Sequence, residues 1–529
     1  MDKDIHDIEF DLEQARRGTE QEHSLSLPQA LRRYRKAVAW SMLFSLAIIM
    51  EGYDTTLLQS LFAFPEFVQR YGSPVHRENG SVERHELSAA WQSGLSNGAY
   101  IGEILGLFLT GLVSERLGYR RIMGCATLAL GVFIFVLFFA PDLPTLLVGE
   151  ILCGIPWGVF QTVTTAYAAE ICPVVLRGYL TTYVNLCWVI GQFIATGVLR
   201  GCLYREDQWS YRIPFALQWV WLPFILVVVW VGPESPWWLV RRGKKEEARR
   251  ILNGLSDSNV DSKTAEIELD NTIAMMAYTS EMEKELAVVQ SKYSFTDCFR
   301  ATDRRRTEIT CMTWAIQALC GSSFMGYSAY FYQQAGLDVS QSFNMSLGQY
   351  GFGVVGTIFS WVLMARFGRR SLYVSGLFAL ALILFSVGLA SISEGTAASW
   401  AIGSLLLVFT FTYDCTIGPV CYSIVTEMPS TQMRAKTIVL ARNVYNMVMI
   451  VNGVIAPRML NPTAWDWKGK TGFFWAGVTV VLFLWAYFRL PESKGRTFAE
   501  MDILFEKGIT ARRFKDMEVS IGDIQTRDG

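Results

Sequence analysis

Residues 37–62 read AVAWSMLFSLAIIMEGYDTTLLQSLF. The run is long and apolar enough to cross a bilayer as one helix, which needs about 20 residues. Yet it carries two acids, Glu51 and Asp54, three positions apart and therefore on one helical face. A charge at bilayer depth costs roughly 3 kcal/mol on insertion scales and more on others. Apolar helices keep such acids where they line a cavity, meet a partner or carry protons. The stretch therefore predicts a membrane-spanning helix in a bundle with a polar interior.

The composition points the same way. Of 529 residues, 51% are apolar and 18% charged, which is too apolar for a soluble chain of this length. A net charge of −1 argues against nucleic acid as a partner. The ten cysteines include no CxxC pair, and Cys153, Cys187, Cys320 and Cys415 lie in apolar runs, where they read as small buried hydrophobes. No nucleophile, metal or cofactor set is recognisable, so neither an enzyme nor a bound cofactor is expected. The first 36 residues are polar, so the expectation is no cleavable signal peptide, the first span serving for insertion.

Outward from 37–62, eleven more apolar runs follow, at about 88–112, 122–140, 144–168, 180–200, 212–231, 310–333, 347–365, 371–392, 399–425, 437–457 and 471–489. They predict an all-α membrane protein of twelve transmembrane helices. Its expected layout is an N-terminal tail (1–36), a six-helix half (37–231), a helical insert (232–309), a second six-helix half (310–489) and a C-terminal tail (490–529). Within the insert, 244–250 and 281–285 read as solvent-facing helices with charges at i,i+4 spacing, such as Glu246 with Arg250. Arg32, Arg33, Arg35 and Lys36, then Arg116, Arg120 and Arg121, then Arg366, Arg369 and Arg370 flank the spans on one side. The positive-inside rule makes that side, both termini and the insert cytoplasmic. The first outer loop carries a glycosylation sequon at Asn79.

The halves repeat each other. ERLGYRR (115–121) answers ARFGRR (365–370), with Gly118 and Gly368 separated by 250 positions. Glu170 and Arg177 answer Glu427 and Arg434 at a shift of 257, and PESP at 233 answers PESK at 491 at a shift of 258. Near-constant offsets indicate duplicated halves, an arrangement suited to rocking-type transport around a midplane site.

On GLVSERLGYRR, PESPWWL, the glutamate–arginine pairs, ARFGRR and PESKGRTF, the chain resembles the sugar porters of the major facilitator superfamily, from the first span to the C-terminal tail. EGYDTTLL (51–58) and TYDCTIGPVCYSIVTEMPS (412–430) narrow the resemblance to fungal α-glucoside, maltose-type permeases, which are proton symporters. The resemblance implies a cytoplasmic charge latch between the halves, made of Glu115, Arg116, Arg121, Glu170, Arg177, Arg366, Arg370, Glu427 and Arg434. The alternative is that the bases are plain topology signals. Glu115 stands where the family has aspartate, and Tyr119 where it has the first arginine after the glycine. The insert would couple the two halves; as sequence alone it reads equally as a solvated linker.

Five acids lie in spans: Glu51, Asp54, Glu103, Glu150 and Asp414. Asp54 matches the aspartate that proton-coupled sugar porters protonate. The arginine such porters place in the fourth span is replaced by Glu150, which leaves Arg442 in the eleventh span as a compensating charge. Some of these acids could instead hydrogen-bond neighbouring helices. Sugar ligands carried over from the family, or offered by polar groups in the same spans, are Gln317, Ser323, Asn185, Gln192, Tyr422, Asn443 and Asn446, with Asn452 beyond them. A polar side chain in a span also serves as inter-helix glue. Tyr327, Tyr330 and Phe331 near the outer end of the seventh span suggest a gate, and Gly94, Gly98, Gly102 and Gly106, spaced by four, a close helix contact.

Together these imply a plasma-membrane carrier, acting as a monomer in the lipid bilayer, that imports an α-glucoside such as maltose with a proton. The alternatives are a proton-independent hexose facilitator, against which the acids argue, and a non-transporting sugar sensor, a class that carries long cytoplasmic tails.

Overall fold

The computed structural model describes residues 13–14, 17–18, 25–76, 82–256, 262–291, 295–393, 395–430, 433–494, 496 and 498–517. Asn79 lies outside them. Among the described residues, ten helices are individually long and apolar enough to cross a membrane. Those of the first half are the first span (Arg35–Leu61), third (Tyr119–Phe138), fourth (Leu143–Ile171), fifth (Val174–Cys202) and sixth (Trp209–Val231). Those of the second are the eighth (Val339–Arg366), ninth (Arg369–Ala390), tenth (Thr396–Glu427), eleventh (Arg434–Leu460) and twelfth (Thr471–Arg489).

The two remaining spans of the expected twelve are less apolar for a visible reason. The second (Ala89–Leu117) turns its polar residues to the other half: Ser93 donates to the carbonyl of Val454 at 3.4 Å and Asn97 to that of Ile450 at 3.2 Å. The seventh begins in a charged turn and is broken into Ala301–Leu319, Ser323–Gly326 and Ser328–Gln334. Gly321, at φ +95°, makes the first break, a backbone state that costs glycine little. The tenth span breaks at Thr416, just ahead of Gly418-Pro419. Pro419 has no N–H to return to the preceding turn, so the helix opens one turn earlier and restarts with proline in its first turn.

Packing repeats as the sequence does. The first span lies on the fifth, the second on the fourth and the third on the sixth; the seventh lies on the eleventh, the eighth on the tenth and the ninth on the twelfth. The halves meet through the second span on the eleventh and the fifth on the eighth, pairs that exchange under a shift of six. Glycines set the tightest crossings. A Cβ on Gly102 would stand 2.0 Å from the Ile151 carbonyl oxygen, and one on Gly106 2.1 Å from that of Ile155. In the facing helix, Gly154 and Gly158 are equally close to the carbonyls of Ala99 and Glu103. Gly98 meets only side chains, and Gly94 has nothing within 4 Å. Between Glu51 and Asp54, Gly52 presses on the backbone of Trp188, while Gly191 presses back on Ile49.

Two features depart from a chain of spans and linkers. The fold is not wholly helical: β1 (Ser73–His76) pairs antiparallel with β2 (Val82–Glu86) in the first outer loop. The hairpin pairs backbone groups of this loop that no helix serves. The insert is packed rather than loose. Its helices Pro236–Arg241, Lys245–Leu255 and Ser262–Ser291 close on Leu239, Val240, Leu252 and Met276, and Arg249 pairs with Asp270 at 3.0 Å. Arg33, ahead of the first span, pairs with Glu268 of the long insert helix.

The backbone crossings yield a test. Gly106→Leu should destabilise the bundle by about 3 kcal/mol or more, the upper range for overpacking, whereas Gly94→Leu should be tolerated. Thermal unfolding in detergent and surface expression of the two variants check this.

Candidate functional site

A cavity enclosing about 1070 Å³, its mouth included, lies between the halves at mid-depth. Of the ligands expected from sequence, Gln317, Asn185, Gln192, Ser323 and Tyr422 line it. Gln317 is 6% exposed and donates to the Gly418 carbonyl at 3.3 Å, so the break in the tenth span supplies the acceptor that holds the amide. The Asn185 amide nitrogen is buried without a partner. Asn443 and Asn446 do not reach the cavity. Arg442, Tyr445, Met449 and Asn452 do, recurring every three or four residues on one helical face, and Asn443 lies about 100° off it. Asn446 is turned into the packed interior with neither amide atom bonded. Asn452 stands at the wall instead, donating to the Ala318 carbonyl at 2.8 Å.

Sequence reasoning passed over much of the wall: Thr55, Gln59, Tyr100, Trp188, Tyr350 and Tyr413. Thr55 and Gln59 follow Glu51 at four-residue intervals, so helical periodicity through the acid could have found them. Nothing local distinguishes the aromatics from lipid-facing ones. The wall mixes amides, hydroxyls and aromatic faces, the chemistry that suits a polyhydroxylated neutral ligand with apolar C–H faces.

The intramembrane acids divide into sets. Asp414 lines the cavity. Glu103 pairs with Arg442 at 2.9 Å across the halves, and the guanidinium lies over the rings of Trp314 and Tyr445, 5.0 and 4.8 Å from their centroids. Arg442 therefore has its own carboxylate on the second span, its packing neighbour, besides acting as a compensating charge near Glu51. Glu51 accepts from Gln161 at 2.8 Å through one oxygen and Asp54 from Gln218 at 2.5 Å through one, the second oxygen of each being unbonded. Glu150 is fully buried with neither oxygen bonded. Unpartnered buried charge costs several kcal/mol, so these oxygens are the least satisfied polar groups of the first half's interior.

At the side of the 2–3 and 8–9 connections the duplicated motifs build the same device twice. Glu234 accepts from the backbone N–H of Tyr119 and Arg120 at 3.2 and 3.3 Å, and Glu492 from that of Arg369 at 2.7 Å. Each glutamate thereby caps a helix start and meets its positive dipole end. Gly118, at φ +85°, and Gly368 leave the room: a Cβ would fall 2.7 and 2.1 Å from the capping carboxylates. Burial pushes the Glu234 carboxyl up from its ordinary range, and the backbone donors oppose that. Ser235 donates to Glu170 and Ser493 to Glu427, while Arg241 pairs with Glu170 at 2.6 Å and Arg369 with Glu427 at 3.5 Å. Arg370 donates to the Tyr487 carbonyl at 2.8 Å. These pairings stay within one half. Arg116, Arg121 and Arg366 are exposed and Arg177 is half-buried; the side chains of Glu115 and Arg434 lie outside the described residues.

The opposite side is tied across the halves. Tyr330 donates to Glu86 at 2.6 Å, Gln333 to the Ala63 carbonyl at 3.1 Å and Asn461 to the Leu87 carbonyl at 2.8 Å. Tyr327 donates to Ser96 at 2.8 Å and stacks on Phe62 at 6.2 Å. Two duplicated six-helix halves around a polar midplane cavity, closed at one mouth, define a membrane carrier. The chain belongs to the family described as "Sugar (and other) transporter", which matches residues 40–505. It is 42% identical to the alpha-glucosides permease MPH3 of Saccharomyces cerevisiae over 511 residues, 96% of this chain and 83% of that one. It is 40% identical to the maltose permease MAL61 of the same organism, over 96% of this chain and 82% of that one. Its fold is similar to the inward-open, partially occluded xylose transporter XylE from E. coli, with a TM-score of 0.68 at 20% identity, over 88% of this chain and 99% of that one. A second XylE structure, described as a major facilitator superfamily proton:xylose symporter bound to 6-bromo-6-deoxy-D-glucose, gives 0.69 at 19% identity, over 90% and 100%.

Two expectations follow. Gln317→Ala should raise the half-saturating ligand concentration about five- to hundredfold at unchanged surface expression, the loss of one buried polar partner (~1–3 kcal/mol). Unaltered saturation curves would remove Gln317 from the site. Glu492→Ala should lower thermal stability in detergent by about 1 kcal/mol, the usual loss of a helix cap, with saturation unchanged.

Proposed function

We propose that the protein imports an α-glucoside such as maltose together with a proton, by alternating access, as a monomer in the plasma membrane with both termini in the cytoplasm. The observation that carries this reading is the midplane cavity whose wall holds Gln317, Asn185, Gln192, Ser323 and Tyr422, backed by carboxyls buried without full hydrogen bonding. The relatedness to permeases named for alpha-glucosides and maltose supports the substrate class.

In the mechanism, Asp54 carries the coupled proton, with Glu51 and Glu150 beside it titrating as one unit. The chain's own groups fit the step. Gln218 donates to one oxygen of Asp54 and Gln161 to one of Glu51, so each acid is held in place while its other oxygen stays open to a proton. The Glu103–Arg442 pair neutralises a second charge at the same depth and ties the second span to the eleventh. The bonds joining the halves around Phe62, Tyr327, Tyr330 and Glu86 support an inward-facing state with the outer mouth shut. Turning outward breaks those bonds and brings the cytoplasmic ends together, where Arg116, Arg121, Arg177, Arg366 and Arg370, with Glu170 and Glu427, form the latch. Ion pairs that form in one state only shift a two-state equilibrium.

Uptake of labelled sugars in a transporter-null cell, with external pH recorded, tests the whole reading. Maltose should accumulate and the medium should alkalinise; accumulation without proton entry would overturn the coupling. Asp54→Asn should still bind maltose and exchange it across the membrane but lose accumulation against a gradient. Glu51→Gln and Glu150→Gln belong in the same comparison, because a coupled cluster can pass the proton to another member. If Asp54→Asn concentrates maltose with normal proton entry, the coupling site lies elsewhere.

A further inference from the structure

A second cavity lies beyond the closed mouth. It encloses about 1100 Å³ with its opening, and its walls come from both halves: Phe62 to Gln69, His85 and Glu86 from one, Gln333 to Val339 from the other. Phe62 lines this cavity, Tyr327 lines the central one, and their rings stack. An aromatic pair thus stands between the two chambers. Among the described residues the outer chamber has no lysine or arginine in its wall, which disfavours anions. It offers the amides of Gln69, Gln333 and Gln334 and the carboxylate of Asp338 beside the apolar faces of Phe62 and Val68. Gln334 carries the argument furthest. It is 7% exposed, faces the chamber, and has no hydrogen-bond partner among the described residues. The amide opens on the chamber rather than being sealed in the protein, so it is placed for a ligand or for water that a ligand displaces.

We propose that this outer chamber is a second sugar-binding site, which takes a glucosyl unit of the external substrate and exists only while the outer mouth is closed. The inference rests on the substrate class proposed above. Amides and a carboxylate pair with sugar hydroxyls, and Phe62 and Val68 cover the C–H face, as in the central cavity. Because both halves build the walls, their separation at the outer face takes the site apart. A ligand that binds one conformation alone shifts the population toward it. External sugar in the chamber therefore holds the empty carrier inward-facing and slows its return. The two sites act in opposition: occupancy of the central one drives transport, and occupancy of the outer one restrains it.

The test is initial uptake of labelled maltose over a wide range of external concentration, with calorimetric titration of purified protein by maltose alongside. Wild type should show uptake that rises, passes a maximum and declines, and two binding sites per chain. Gln334→Leu should abolish the decline and the second site while leaving half-saturation at low sugar unchanged. Gln69→Ala, a substitution at an exposed position that cannot disturb packing, should weaken the decline in the same direction. Hyperbolic uptake with a single calorimetric site in wild type overturns the proposal, as does a decline that both variants leave intact. Folded wild type that binds no maltose at either site overturns the substrate reading itself, which is a separate result from loss of the outer site alone.

Discussion

A charge inside a bilayer has to be met by another charge, by donors or by a proton, and the Glu103–Arg442 pair is where this constraint joins the two halves. The guanidinium lies over Trp314 and Tyr445, so its faces as well as its edge are occupied. The pair sits on the contact of the second span with the eleventh, one of the two principal helix contacts between the halves. It is also beside the central cavity, whose wall includes Arg442. Any movement of one half against the other must therefore preserve this pair as a pivot or replace both partners.

Around that constraint the fold is one unit used twice. A shift of six spans carries each principal packing contact in the first half onto one in the second, and carries the second-on-eleventh contact onto the eighth-on-fifth. The same shift carries the cap of Glu234 onto that of Glu492 and the Ser235–Glu170 bond onto Ser493–Glu427. These caps make each of the two loops a rigid corner of its own half. Rigid halves are what a rocking movement needs, because a soft half would absorb the motion rather than transmit it. Backbone-to-backbone crossings at Gly102, Gly106, Gly154 and Gly158 add to that stiffness within the first half.

Where the halves yield is equally defined. The closed mouth is held by a few hydrogen bonds and ring contacts, among them Tyr330 to Glu86, Tyr327 on Phe62 and Phe64 against Phe343. Bonds of this kind contribute about 1 kcal/mol each, so closure is reversible at thermal energies. The seventh and tenth spans, both broken near the cavity, place their interruptions at Gly321 and Thr416. Irregular backbone at this depth is tolerated only where it lines a cavity or is buried in protein, and the carbonyl freed at Gly418 is used by Gln317.

Much of this was written in the chain itself. Apolar runs of spanning length determined the helices, and near-constant offsets between the glycine, glutamate and proline motifs determined the duplication, because both are local or purely periodic properties. The acids announced a polar interior, since hydrocarbon tolerates them nowhere else. What sequence could not assign was partnership across helices. Arg442 could have served Glu51, Asp54 or Glu150; the packing of the second span on the eleventh gave it to Glu103. Asn443 and Asn452 are the same residue on the same helix, yet only the latter faces the cavity. Tyr100 lines that cavity while Phe108, two turns on, is 61% exposed. An apolar or aromatic side chain in a span is equally at home against lipid and against protein, so pattern alone does not say which way it points; only the tertiary arrangement of the twelve helices decided that.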